Sequence, residues 1–95
     1  MHVISFRRLR GFFSKYRDSE SSLTAWYKTA KKAGWQNLAE LKSVYPSADL
    51  VGDYVVFNIR GNKYRLIAGI NYRSQTLFVK AVITHEEYDL GKWKE

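Results

Sequence analysis

Ninety-five residues are enough for one domain and leave no room for a second. Apolar residues make up 45% and aromatic residues 16%, so the chain has the means to fold, while a formal charge of +7 and a pI near 9.8 point to a polyanionic partner, nucleic acid above all. Disulfides and thiolate metal sites are excluded by the absence of cysteine, and no run of about 18 apolar residues offers a membrane span.

The opening residues, Met1 to Arg8, contain no long apolar stretch of the kind a signal peptide needs, so the expected location is the cytoplasm. His2 to Ser5 reads as a short strand around Val3 and Ile4. Ser5 is a plausible N-cap for a helix from Phe6 to about Arg17, in which Leu9, Phe12, Phe13 and Tyr16 form one apolar stripe. After the polar connection Asp18 to Ser22, Ser21 or Ser22 can cap a second helix running to Ala33. Its apolar side is Leu23, Trp26, Tyr27 and Ala30, and Gly34 stands where a C′ glycine would. Two helices joined by a short loop predict an antiparallel hairpin. Asn37 and Glu40 have capping-box spacing for a short third helix that Pro46 stops, and residues 46–53 read as a loop.

The period then changes from helical to alternating. Tyr54 to Ile59 is strand-like, and Gly61-Asn62 offers a tight hairpin turn, with Asn62 tolerating positive φ. Tyr64 to Tyr72 alternates so that Arg65 and Ile67 face away from Tyr64 and Leu66. Arg73-Ser74-Gln75 turns the chain again, and Leu77, Val79, Ala81 and Ile83 alternate with Phe78, Lys80, Val82 and Thr84. Thr84 and Glu87 fit a capping box opening a final short helix at His85. The expected fold is α+β, a single domain over 1–95: an N-terminal helical hairpin packed on a small antiparallel sheet, with a short C-terminal helix.

Charge is distributed unevenly along the sheet. From Tyr54 to His85 there are five cations (Arg60, Lys63, Arg65, Arg73 and Lys80) and no Asp or Glu. A solvated surface ordinarily mixes signs, so this stretch reads as phosphate-facing.

Two segments resemble a known family. Val56-Phe57-Asn58-Ile59-Arg60-Gly61-Asn62-Lys63-Tyr64-Arg65-Leu66-Ile67 looks like the central hairpin of HigB-type toxins of the RelE/ParE superfamily, and Thr84-His85-Glu86-Glu87-Tyr88-Asp89 looks like their C-terminal Thr-His-x-x-Tyr-Asp motif. The resemblance implies a RelE-like fold and an endoribonuclease that cleaves mRNA, usually on the ribosome. It also implies silencing by a HigA-type helix-turn-helix antitoxin. ParE members share the fold and target gyrase, so fold alone does not fix the activity. The competing reading is a non-catalytic module of the same fold that grips RNA or protein.

RNA brings its own nucleophile, the 2′-OH beside the scissile phosphate. The protein must add a base, cations for the developing phosphorane charge and help for the leaving 5′-oxygen. The cation-rich meander lacks carboxylates for a two-metal site, so no metal or cofactor is expected. Four residues are the catalytic candidates. Arg65 has a planar fork that can hold two phosphate oxygens, against the plainer role of a surface ion pair. His85 is the proton carrier, against a helix-start histidine bonded to backbone. Tyr88 could stack or orient, against a core role, and Lys80 could neutralise phosphate, against snorkelling to solvent. Lys63, Arg73, Arg60 and Lys92 are the candidates for positioning RNA. Trp26, Trp35, Tyr27, Phe12 and Phe13 belong to the core on this reading, while Trp93 either covers the sheet or stacks on RNA.

Overall fold

A computed structural model describes residues 1–94. The elements in chain order are β1 (His2–Ile4), α1 (Phe6–Lys15), a 3-10 turn (Arg17–Ser19), α2 (Glu20–Lys32), α3 (Leu38–Val44), β2 (Asp49–Val51), β3 (Tyr54–Ile59), β4 (Tyr64–Asn71), β5 (Thr76–Thr84), α4 (His85–Leu90) and a second 3-10 turn (Lys92–Lys94). The architecture is α+β, with α1 and α2 covering one face of the sheet and α4 set against the other. No described helix is long and apolar enough to cross a membrane.

Two strands enlarge the expected sheet. The order is β1-β5-β4-β3-β2, and β1 runs parallel to β5, so the sheet is mixed rather than purely antiparallel. Three residues of β1 pair with a strand more than seventy positions downstream, a direction that local patterning cannot encode. The segment 46–53, read as loop, contains β2, which hairpins onto β3 through Gly52 at φ 60. Glycine is the residue that a two-residue hairpin loop accepts there without penalty.

The helices start and stop for identifiable reasons. α1 ends at Lys15, two residues before the expected boundary, and the 3-10 turn takes over. α2 begins earlier than a cap at Ser21 or Ser22 would allow. Its N-cap is Ser19, fully buried, whose hydroxyl donates to the Tyr16 carbonyl at 2.6 Å. Its C-cap is Ala33 in extended conformation, and the Met1 ammonium donates to the carbonyls of Ala30, Lys31 and Ala33 at 3.2, 3.0 and 2.5 Å, satisfying helix-end groups that Gly34 does not. α3 is capped by Asn37, which accepts from the Glu40 amide at 2.9 Å.

Between sheet and helices lies the main core: Leu9, Leu23, Trp26, Trp35, Val55, Phe57, Leu66 and Leu77 are all 5% exposed or less. Phe12, Phe13 and Tyr27 are partly buried against it. The opposite face carries a smaller cluster of Val56, Ile67 and Trp93, joined by Tyr54, Ile83 and Tyr88. One irregularity decides which side chains reach that second face. Ala68 pairs with Val79 but Ile67 pairs with Ala81, so Lys80 is an extra residue in β5. This bulge breaks the simple alternation: Leu77, Val79 and Val82 face the main core, and Ile83 joins the second cluster instead of following Val79.

Candidate active site

Arg65 stands on the second face of β4, next to its start, and is 8% exposed. A guanidinium that secluded needs partners for its donors. Nη1 donates to the carbonyls of Asn62 and Tyr64 at 3.0 and 3.2 Å, and Nη2 donates to Asn62 Oδ1 at 2.6 Å. No carboxylate pairs with it among the described residues. The remaining close contact is to an imidazole: Arg65 Nη2 lies 3.1 Å from His85 Nδ1.

His85 owes its place to the capping box. Thr84 accepts from the Glu87 amide at 3.2 Å, and the Glu87 carboxylate accepts from the Thr84 amide at 3.3 Å. His85 is therefore the first residue of α4, directly after a strand end that pairs Thr84 with Tyr64 and Ile83 with Arg65. Its ring is also held from the other side, with Nε2 3.2 Å from Asp89 Oδ2 one helical turn on. A guanidinium has no acceptor, so Nδ1 must present its lone pair to Arg65. The proton then sits on Nε2, facing the Asp89 carboxylate. The geometry thus fixes one neutral tautomer without reference to substrate.

Tyr88 completes the group. The Arg65 guanidinium carbon lies 5.3 Å from the Tyr88 ring centre, and that ring stacks on Trp93 at 5.3 Å and 13°. Trp93 covers the sheet, 9% exposed, with its indole N–H donating to the Tyr88 carbonyl at 3.3 Å. The row continues to Tyr54, 6.4 Å from Trp93, and ends at Lys80, whose ammonium lies 4.5 Å above the Tyr54 ring and donates to its hydroxyl at 3.1 Å. Lys80 and Arg65 therefore cap opposite ends of a line of three aromatic rings and do not meet.

The other candidates take separate positions. Lys63 and Arg60 sit on the β3–β4 loop, where both engage Asp18. Lys63 is ion-paired with it, Arg60 Nε lies 3.5 Å away, and the Tyr64 hydroxyl donates to the same carboxylate at 2.5 Å. The hydrogen bonds from Lys63 and then Tyr64 hold the Asp18 carboxyl below the ordinary carboxylate range, and the bond to Asp18 raises both Lys63 and Tyr64. Arg73 lies in the β4–β5 turn, beyond the far end of β4, an end that is itself roughly 20 Å from Arg65 at strand rise. Lys92 borders an apolar groove with Ile83, Leu90 and Trp93.

The loop itself differs from expectation. Positive φ occurs at Arg60 (53°) and Gly61 (64°), not at Asn62. Asn62 is freed from a conformational role, and its side chain and carbonyl both hold Arg65. Sequence reading missed this, and it missed Asp89 and Asp18, although Asp89 lies at i+4 from His85 on one helix face. Beside the Arg65–His85 pair opens a cleft of about 520 Å³, lined by Tyr16, Asn62, Lys63, Tyr64, Thr84, His85 and Glu86. Among the described residues no three His, Cys, Asp or Glu side chains gather as a metal site would require.

Residues 19–91 match the family HigB_toxin, described as the RelE-like toxic component of a toxin-antitoxin system. The chain belongs to the HigB toxin family. Over 92 residues it is 34% identical to the mRNA interferase toxin HigB of Escherichia coli (strain K12), covering 94% of this chain and 88% of that one. It is equally similar to the mRNA interferase HigB of Shigella flexneri, and 29% identical over 92 residues to that of Escherichia coli O6:H1, with 89% of the latter covered. The HigB family match spans Asp89 and every residue of the Arg65, His85, Tyr88 and Asn62 group, and stops just short of Trp93.

Proposed function

We propose that this HigB-family toxin is an endoribonuclease that cuts mRNA in the cytoplasm, docked on the ribosome, and that a HigA-type helix-turn-helix antitoxin silences it. The observation that carries the catalytic reading is the 3.1 Å approach of a buried guanidinium to an imidazole nitrogen at the edge of an open cleft.

The reaction follows from those two groups. A phosphate entering the cleft draws the Arg65 donors onto its oxygens, and Nδ1 of His85 is released to accept the proton of the adjacent 2′-OH. The 2′-oxygen bonds to phosphorus, the bond from phosphorus to the 5′-oxygen breaks, and the products are a 2′,3′-cyclic phosphate and a 5′-hydroxyl end. The imidazolium created on His85 faces Asp89, which stabilises it and keeps Nδ1 aimed inward. Arg65 neutralises the phosphorane, and the imidazolium returns the proton to the leaving oxygen. Tyr88 holds the guanidinium plane from one side. Lys63, at the cleft rim, meets the flanking phosphate. Lys80, Arg73 and Lys92 serve RNA at a distance from the bond that breaks.

The test maps cleavage of mRNA on translating ribosomes, with and without EDTA. The expected result is chelator-resistant cutting that disappears in Arg65→Ala and His85→Ala and is strongly slowed in Asp89→Asn. A substrate with a 2′-deoxy sugar at the cut site should resist. Normal cutting of that substrate, or firm ribosome binding with no cutting at all, overturns the proposal, the latter in favour of an inert binding module.

A further inference from the structure

The net charge does not reside where the Arg65–His85 site is. Residues 1–36 hold eight of the sixteen Lys and Arg but only Asp18 and Glu20 of the nine acids, a surplus of six out of +7. That segment is β1 with the helical layer α1–α2, on the opposite face of the sheet from Arg65 and His85. In this layer an open groove of about 740 Å³ runs between the start of α1 and the second half of α2. Its floor is Phe6 and Tyr27, and its wall is Lys28, Lys31 and Lys32, with no acid lining it.

We infer that this groove docks an acidic amphipathic segment of a protein partner, an aliphatic side chain resting against the two rings while carboxylates meet the three lysines. The lysines stand at i, i+3 and i+4 on α2, which spaces their ammonium groups along one side of the floor. Complementary charge supplies steering and register, and the apolar floor supplies the anchor. A polynucleotide fits less well. The rings of Phe6 and Tyr27 close on each other at 4.7 Å and 56°, and each is already approached by a cation, Arg10 at 5.9 Å and Lys31 at 5.8 Å. Tilted against each other and each approached by a cation, the two rings make a poor stacking platform for a base. A bare phosphate backbone would have no use for the apolar floor.

The probe is a fluorescein-labelled peptide of about sixteen residues, leucines at helical i, i+3, i+4 spacing and glutamates elsewhere. It is titrated into the full-length protein by anisotropy, beside a leucine-to-serine version and an RNA duplex. Binding of the leucine peptide should weaken on the order of 10-fold or more in a Lys28→Glu/Lys31→Glu/Lys32→Glu variant and in Tyr27→Ser. It should be unchanged in Arg65→Ala, which separates this surface from the cleavage reaction. Circular dichroism checks that each variant is folded. The charge-reversal variant keeps the floor intact, so it decides the matter if Tyr27→Ser unfolds. The inference is overturned if the peptide does not bind, if the serine version binds as well, or if the charge reversal abolishes duplex RNA binding and leaves the peptide's affinity unaltered.

Discussion

Replacing Asn62 with alanine removes the 2.6 Å hydrogen bond from Arg65 Nη2 to Oδ1 while leaving the backbone carbonyl that accepts from Nη1. The lost contact is charge-assisted and lies beside a guanidinium that is only 8% exposed. Such bonds contribute about 1.5–3 kcal/mol. Asn62 is itself exposed, so water can replace part of the contact, and the lower half of that range applies. If about 1.5–2 kcal/mol of the loss falls on the transition state, cleavage slows roughly 10- to 30-fold. The fold should persist, because β4 keeps its pairing on both sides and Arg65 retains two carbonyl partners. Single-turnover cleavage of mRNA on ribosomes measures the rate, and thermal unfolding measures the stability. The informative comparison is a double-mutant cycle with Arg65→Lys, which keeps a cation but not the fork: Asn62→Ala should cost little more in that background. Full activity in Asn62→Ala, or an equal loss in both backgrounds, would refute the claim that Asn62 acts through Arg65.

Tyr88→Phe should retain most of the cleavage rate, since the ring over Arg65 survives, whereas Tyr88→Ala should lower it about 10-fold or more; a collapse in the phenylalanine variant would instead assign the hydroxyl to proton transfer. Trp93→Ala should destabilise the protein by about 3 kcal/mol, read from chemical denaturation, because it empties the centre of the second cluster. Asp18→Asn should lower the melting temperature at neutral pH. Since the folded Asp18 carboxyl is held below its ordinary 3.8, the wild-type advantage should be constant above that range and fade as pH falls through the folded value. A melting difference between the two proteins that is the same at pH 3 and pH 7 would contradict it.

Much of this arrangement could be read from local pattern. The Thr84–Glu87 capping box places His85 as the first residue of α4, and the alternation of Tyr64 to Ile67 puts Arg65 on the face away from the main core. Their convergence then follows from one antiparallel pairing. What stayed hidden depends on partners distant in sequence or on departures from strict period. Asp18 meets Lys63 and Tyr64 from 45 and 46 positions away, so nothing near the loop announced that its two cations were already engaged. Asn62 looked like a turn residue because asparagine tolerates positive φ, yet Arg60 and Gly61 supply that conformation. β1 is three residues long and its parallel neighbour is settled only once the rest of the sheet exists.

The unpaired residue in β5 reaches beyond its own neighbourhood. Were the strand to run in strict up-and-down alternation with all its residues, one end would have to turn over. Either Leu77 and Val79 would surrender their place under the helices, or Val82 would swing outward and Ile83 inward, carrying the start of α4 to the wrong side of the sheet. The extra residue resets the count, so the imidazole and the guanidinium share a side. Deleting Lys80 would leave Val79 opposite Ala68 and Ala81 opposite Ile67, so a single lost codon at this spot would spare that agreement and remove only the ammonium at the far end of the aromatic row.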